Sequence, residues 1–142
     1  MVDEIDERII ELLIEDGRRP YTDIAKRLNL SESTVRKRVQ ALVEEGVIRR
    51  FTIEVEPSRL GLRTVAIIGV DVDPPRLLEV AQRLSQLHEA RWVATSTGDH
   101  MIMMEVWISD GRALTRLISE RIGRIEGVKR VCPAILLEKL KG

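Results

Sequence analysis

The chain has 142 residues, 44% apolar and 32% charged, enough for one ordinary domain or two small ones with real cores. Its 23 basic and 23 acidic residues cancel, no apolar run approaches the ~20 residues of a membrane span, and the acidic start MVDEIDERII is unlike a signal peptide. A cytoplasmic protein without a membrane partner is therefore expected. The single cysteine, Cys132, excludes an internal disulfide and a thiolate metal cluster; it reads as a small packing residue, and neither a metal nor a cofactor is expected.

The neutral total hides a segregation. Residues 1–17 hold one basic residue and seven acidic ones, whereas residues 18–50 hold nine basic and four acidic. A basic stretch in a neutral chain implies either an anionic partner for that stretch alone or a solvated helical face.

In chain order, Asp3 is a candidate N-cap for a first helix to about Asp16, with Ile5, Ile9, Leu12 and Leu13 as its apolar stripe. Gly17 is expected to end it in the left-handed conformation. Thr22 is expected to cap a shorter second helix with Ile24, Ala25 and Leu28 inward, stopping at Asn29. The turn NLS leads to Ser31, the cap of a third helix closed by Gly46. Two helices joined by so short a turn form a helix-turn-helix unit. Val47, Arg49, Phe51, Ile53 and Val55 then alternate, which predicts a strand in the position of a wing. Pro57 and Gly61 mark a linker.

Beyond the linker the order is strand (63–73), helix (74–88), strand (89–98), strand (99–109), helix (110–127) and strand (128–141). Pro75 suits the first turn of its helix, and Gly127 suits the end of the second. This βαββαβ string predicts a ferredoxin-like sheet with two helices on one face. The fold class is α+β. The expected organisation is a winged helix-turn-helix domain over 1–50, a strand and linker over 51–62, and a ferredoxin-like domain over 63–142.

The third helix turns Val35, Val39, Leu42 and Val43 inward. Ser33, Lys37 and Gln40 fall on the opposite side with Thr34 beside them, while Arg36 and Arg38 flank the apolar stripe. Short polar groups and one long donor on an outward face suit base edges in a major groove, and flanking arginines suit phosphates. Double-stranded DNA is the expected partner, with Ser33, Thr34, Arg36, Lys37, Arg38 and Gln40 as the contacting set.

The stretch from DEIDERIIELLIEDGRRPYTDIAKRLNLSESTVRKRV to IEVEPSRLG, with the βαββαβ order and TSTGDHMIMM beyond it, resembles the Lrp/AsnC (feast/famine) family of transcription regulators over essentially the whole chain. The resemblance implies DNA-bound homodimers that assemble further, often to octamers. It also implies amino-acid effectors bound by the C-terminal domain, at the Gly98–Asp99 loop and between dimers.

That loop has the groups an amino acid requires. Asp99 can accept from an ammonium, while Ser96, Thr97 and the bare backbone of Gly98 can donate to a carboxylate; a Gly-Asp pair is equally a simple hairpin element. His100 follows and is a candidate lining residue, and the resemblance adds Leu136. Met101, Met103 and Met104 read as strand packing. No phosphate loop, HExxH, CxxC or GxSxG motif is present, and catalysis is not expected. The alternative is a sirohaem-decarboxylase-like enzyme of the same two-domain architecture, for whose tetrapyrrole the two histidines, His88 and His100, are few.

Overall fold

The computed structural model describes all residues, 1–142, as two compact units, Met1–Val55 and Glu56–Gly142. The boundary lies between Val55 and Glu56, just before Pro57.

In the first unit α1 spans Glu4–Glu15, α2 spans Tyr21–Leu28 and α3 spans Glu32–Glu44. Asp3 caps α1 as expected. Its side chain accepts from the Asp6 N–H (2.9 Å) while the Asp6 carboxylate accepts from the Asp3 N–H (3.2 Å), a reciprocal box that satisfies two orphan donors. Ile9, Ile24, Ala25, Val35 and Val39 form the core of the unit. The Asn29 backbone turns left-handed (φ 56°), and the Ser31 hydroxyl accepts from the Thr34 N–H (3.2 Å) to start α3.

Four details differ from the sequence expectations. Asp16, in an extended conformation, ends α1 through its N–H to the Leu12 carbonyl, and Gly17 keeps an ordinary backbone. α2 is entered from Pro20, whose carbonyl accepts from the N–H groups of Asp23 and Ile24, so Thr22 lies inside the first turn. Val43 is 43% exposed, because the stripe drifts round the helix and Leu42 takes the inward position. Residues 47–55, expected as a strand, form none: 47–48 are bends, the rest is irregular, and no strand of this chain pairs with it, so the wing is absent from the single chain. Gly46 (φ 78°) does close α3.

The second unit opens with a 3-10 turn at Pro57–Leu60. It continues as β1 (Thr64–Val72), a 3-10 turn at Pro74–Arg76, α4 (Leu77–Ser85), β2 (Ala90–Thr95), β3 (Ile102–Ile108), α5 (Gly111–Arg116) and β4 (Val128–Ile135). The second helix is shorter than expected: a π turn at Leu117–Arg121 and a 3-10 turn at Ile122–Arg124 carry the chain to Gly127 (φ 100°). All pairings are antiparallel in the order β2-β3-β1-β4, the ferredoxin-like arrangement. β4 stops at Ile135 rather than running to Lys141, since β1, its only neighbour, begins at Thr64.

Alternation sorts the sheet into two faces. Ala66, Ile68, Val70 and Val72 of β1, with Ile102, Met104, Val106 and Ile108 of β3, pack with Val80, Leu84, Leu114, Leu117 and Ile122 in one core. Val65, Ile67, Gly69 and Asp71 are set on the opposite face with Met103, Glu105 and Trp107. There the Arg91 guanidinium lies 3.9 Å from the centroid of the Trp107 ring, and the Trp107 indole N–H donates to Glu105 (2.8 Å).

Candidate nucleic-acid interface and effector site

The exposed face of α3 is built by its buried face. Val35, Val39 and Leu42 are at most 2% exposed, which fixes the rotation of the helix and turns Ser33, Arg36, Lys37 and Gln40 to solvent. The six candidate DNA contacts then divide. Thr34 is half-buried, and its hydroxyl shares a 2.8 Å hydrogen bond with that of Ser31, so it belongs to the helix cap. The Ser33 hydroxyl reaches the same cap at 3.2 Å but is exposed.

Arg36 donates to Glu32 one turn back (2.9 Å) and stands over the Tyr21 ring at 5.7 Å, half in solvent. A surface pair of this kind holds weakly, so the guanidinium can be recruited by a phosphate. Arg38 differs. Its Nη1 donates to both carboxylate oxygens of Asp3 (2.9 and 2.7 Å) and to Asp6 (3.0 Å), clamping α3 to the capping box of α1. The Arg38 hydrogen bond holds the Asp3 carboxyl below its ordinary range, and the same contact raises the guanidinium of Arg38. Arg38, expected on phosphate, is thus committed within the protein. Lys37 and Gln40 are exposed and lie outside these ion pairs.

The sequence reading missed a second clamp. Arg19 donates to Asp23 (3.0 Å) and to the Leu12 carbonyl (3.2 Å), while Arg27 also donates to Asp23 (3.0 Å). The Arg19 hydrogen bond, followed by that of Arg27, lowers the Asp23 carboxyl. The spacing of four between Arg19, Asp23 and Arg27 was a usable signal. Four of the nine basic residues of 18–50 are therefore paired with carboxylates, and within α3 Lys37 is the one cation outside such a pair.

In the second unit Ser96, Thr97, Gly98 and Asp99 share the exposed β2–β3 hairpin. The Ser96 hydroxyl donates to the His100 carbonyl (2.6 Å) and its N–H to the Met101 carbonyl (2.9 Å), which closes the hairpin and occupies that hydroxyl. Gly98 has φ 109°, a conformation that a Cβ would strain. His100 turns back over the sheet: its Nδ1 lies 3.1 Å from Asp71, and a Cβ on Gly69 would meet the ring at 2.3 Å. Leu136 is not brought to the hairpin. Its N–H donates to the Val65 carbonyl, at the end of β1 away from Val70 and its hairpin-side partner Ile102. The last strand simply runs away from the loop.

Comparison with known proteins agrees with this architecture. Residues 2–43 match the AsnC-type helix-turn-helix domain, and residues 65–142 match the Lrp/AsnC ligand binding domain. The HTH-type transcriptional regulator LrpA of Pyrococcus horikoshii is 51% identical over 141 residues, covering 99% of this chain and all of its own. LrpA1 of Halobacterium salinarum is 38% identical over 136 residues, 96% of each chain. Among solved structures, the Neisseria meningitidis regulator NMB0573 in complex with L-Met superposes with a TM-score of 0.92, covering all of this chain and 94% of that one. Its 21% identity makes this a likeness of fold.

A helix-turn-helix unit in one chain with a ferredoxin-like ligand-binding domain defines a DNA-binding transcriptional regulator. Its relatives are regulators of the same length and not enzymes, which decides against the decarboxylase alternative. The chain belongs to the Lrp/AsnC family.

Proposed function

We propose that this regulator reads specific DNA sequences through Ser33, Lys37 and Gln40 of α3, with Arg36 on the phosphate backbone and Thr34 acting through the cap. The observation that carries the reading is the contrast within α3: Arg38 is tied to Asp3 and Asp6, whereas Lys37 is exposed between two turns of buried valines. Residues 1–50 carry DNA binding, 51–62 connect, and 63–142 carry effector binding and oligomerisation.

The effector is an amino acid, and Ser96–Asp99 is its anchor, with Asp99 accepting from the ammonium and the Thr97 and Gly98 region donating to the carboxylate. Support comes from the exposed hairpin and from the class of ligand, L-Met, held by the Neisseria meningitidis structure. Leu136 belongs to this site only if another copy of the chain supplies it. The working form is a cytoplasmic homodimer that assembles further, to an octamer in the fullest case. Phe51 and Ile53 are 56% and 77% exposed on a segment that no strand of this chain pairs with, a surface that a second copy can cover. No helix is long and apolar enough to cross a membrane.

The switch is then linkage: an effector changes assembly or DNA affinity only by binding one state better than another. A thermal-shift screen over the twenty amino acids tests it, because a ligand at ~100 times its dissociation constant adds ~2.7 kcal/mol. A hit that also moves the DNA gel-shift midpoint supports the reading; twenty flat curves overturn the effector assignment.

A further inference from the structure

Three side chains meet on the open face of the sheet, and of these only His100 was a candidate for lining the effector site. Asp71 comes from β1, Cys132 from β4, and His100 from the residue that leads into β3. One ligand-type atom of each lies within 4.8 Å of the other two. The register explains the meeting. Cys132 is directly opposite Gly69, Asp71 is two residues further along the same face, and His100 folds back from the hairpin onto Gly69.

Gly69 is what permits it. A Cβ there would stand 2.3 Å from His100 Cδ2 and 2.4 Å from Cγ, so any side chain would push the imidazole off the sheet. The Asp71 carboxylate fixes the ring by its 3.1 Å contact with Nδ1, leaving Nε2 as the free nitrogen. All three residues are partly accessible, His100 and Asp71 at 25% each.

The donor set is chemically particular. A thiolate, an imidazole and a carboxylate form a mixed soft-to-hard set that selects a borderline transition-metal dication and disfavours Mg²⁺ or Ca²⁺. Ligand atoms around tetrahedral Zn²⁺, with bonds of about 2.0–2.3 Å, stand roughly 3.5 Å apart. The three atoms already lie within 4.8 Å of one another, so an ion has to draw them closer by about an ångström at most. Asp71 is the third ligand, turning its carboxylate from the imidazole to the ion as it binds.

We propose that Asp71, His100 and Cys132 form a site for one Zn²⁺-like dication per chain, with a fourth position open to solvent. Bound there, the ion ties the root of the β2–β3 hairpin to the β1 and β4 strands. Binding releases the Cys132 thiol proton to solvent, so affinity falls at acid pH. The inference stands on the cluster and does not depend on where an effector sits.

The test uses the full, tag-free chain, stripped by chelator and titrated with Co²⁺ and then Zn²⁺ in the absence of thiol reductants. The expected result is one Co²⁺ per chain with a near-ultraviolet thiolate-to-metal band and visible ligand-field bands, displaced by one Zn²⁺. Cys132→Ser should abolish the thiolate band. His100→Gln should weaken Zn²⁺ at least as much as the roughly 10–100-fold typical of losing a group behind a ligand. His88→Gln, a change at the only other histidine, should alter nothing. Circular dichroism verifies folding, and if His100→Gln unfolds the hairpin, Cys132→Ser decides the matter alone. Absence of a thiolate band, or equal Zn²⁺ affinity in wild type and Cys132→Ser, overturns the site.

Discussion

Replacing Arg38 by methionine separates a structural arginine from a DNA-binding one. The substitution keeps an unbranched apolar stem over α1 but removes three charge-assisted hydrogen bonds of 2.7–3.0 Å. The two acceptors fare differently. Asp3 is more than half exposed and is resolvated once released, so its loss is the smaller of the two. The Asp6 side chain is only 11% exposed and is left as a nearly buried carboxylate without its cation. A buried polar group that loses its partner costs about 1–3 kcal/mol, and the surviving hydrogen bond to the Asp3 N–H places the expected value at the lower end. For a unit of this size ~1 kcal/mol moves a melting midpoint by roughly 4–8 °C. The midpoint of the helical unit should therefore fall by about that much, read by circular dichroism at low and high protein concentration. DNA affinity measured well below the midpoint should change less than about twofold, with an unaltered salt slope, since no phosphate contact is lost. A variant with wild-type melting whose log–log salt slope drops by ~1 would show that Arg38 leaves Asp3 and Asp6 for DNA.

Three further outcomes follow from the same geometry. Lys37→Ala should change which base pairs are selected, while Arg36→Ala should weaken all sequences alike and reduce the salt slope by ~1, as competitive gel shifts will show. The lowered Asp3 carboxyl contributes stability that is complete above its unfolded value of 3.8 and is lost as pH falls through the still lower folded value. Asp3→Asn should accordingly flatten acid unfolding in that window, and a wild-type acid limb would contradict the clamp. Asp99→Asn preserves the hairpin but removes the charge, so calorimetry with the best amino acid should find roughly ten- to a hundredfold weaker binding. DNA binding without effector should be unchanged, and unaltered effector affinity would make Asp99 a turn residue only.

Much of the first unit was legible because its signals are local. Asp3 three residues before Asp6, Ser31 three before Thr34, and Asn29 after a short apolar stripe each satisfy helix ends from within one turn. Local signals also misled where two residues competed. Pro20 offered a preset backbone two residues ahead of Thr22, and Asp16 accepts from the Arg18 N–H (3.0 Å), so Gly17 had no need of a left-handed turn. The 47–55 alternation predicted a strand that does not form in the single chain, because alternation marks which side chains could share a face but a strand also requires a paired neighbour. The Arg38 clamp was not legible because its acceptors lie in a different helix, 32 and 35 positions away. The Asp71–His100–Cys132 cluster was invisible for the same reason, since only strand register brings three remote residues to one glycine. The hairpin was legible as a loop, but the separation of Leu136 from it depends on the direction of the last strand.

The composition of β4 bears on how concentrated solutions of this protein behave. β4 is an edge strand whose inner side is taken by β1, and it carries Lys129, Arg130 and Pro133 along its length. Two like charges repel an incoming backbone of the same kind, and Pro133 lacks the N–H that a continuing ladder requires. An exposed edge that would otherwise template endless strand addition is interrupted near its middle. Open-ended strand addition at this edge is thereby disfavoured without any change to the core.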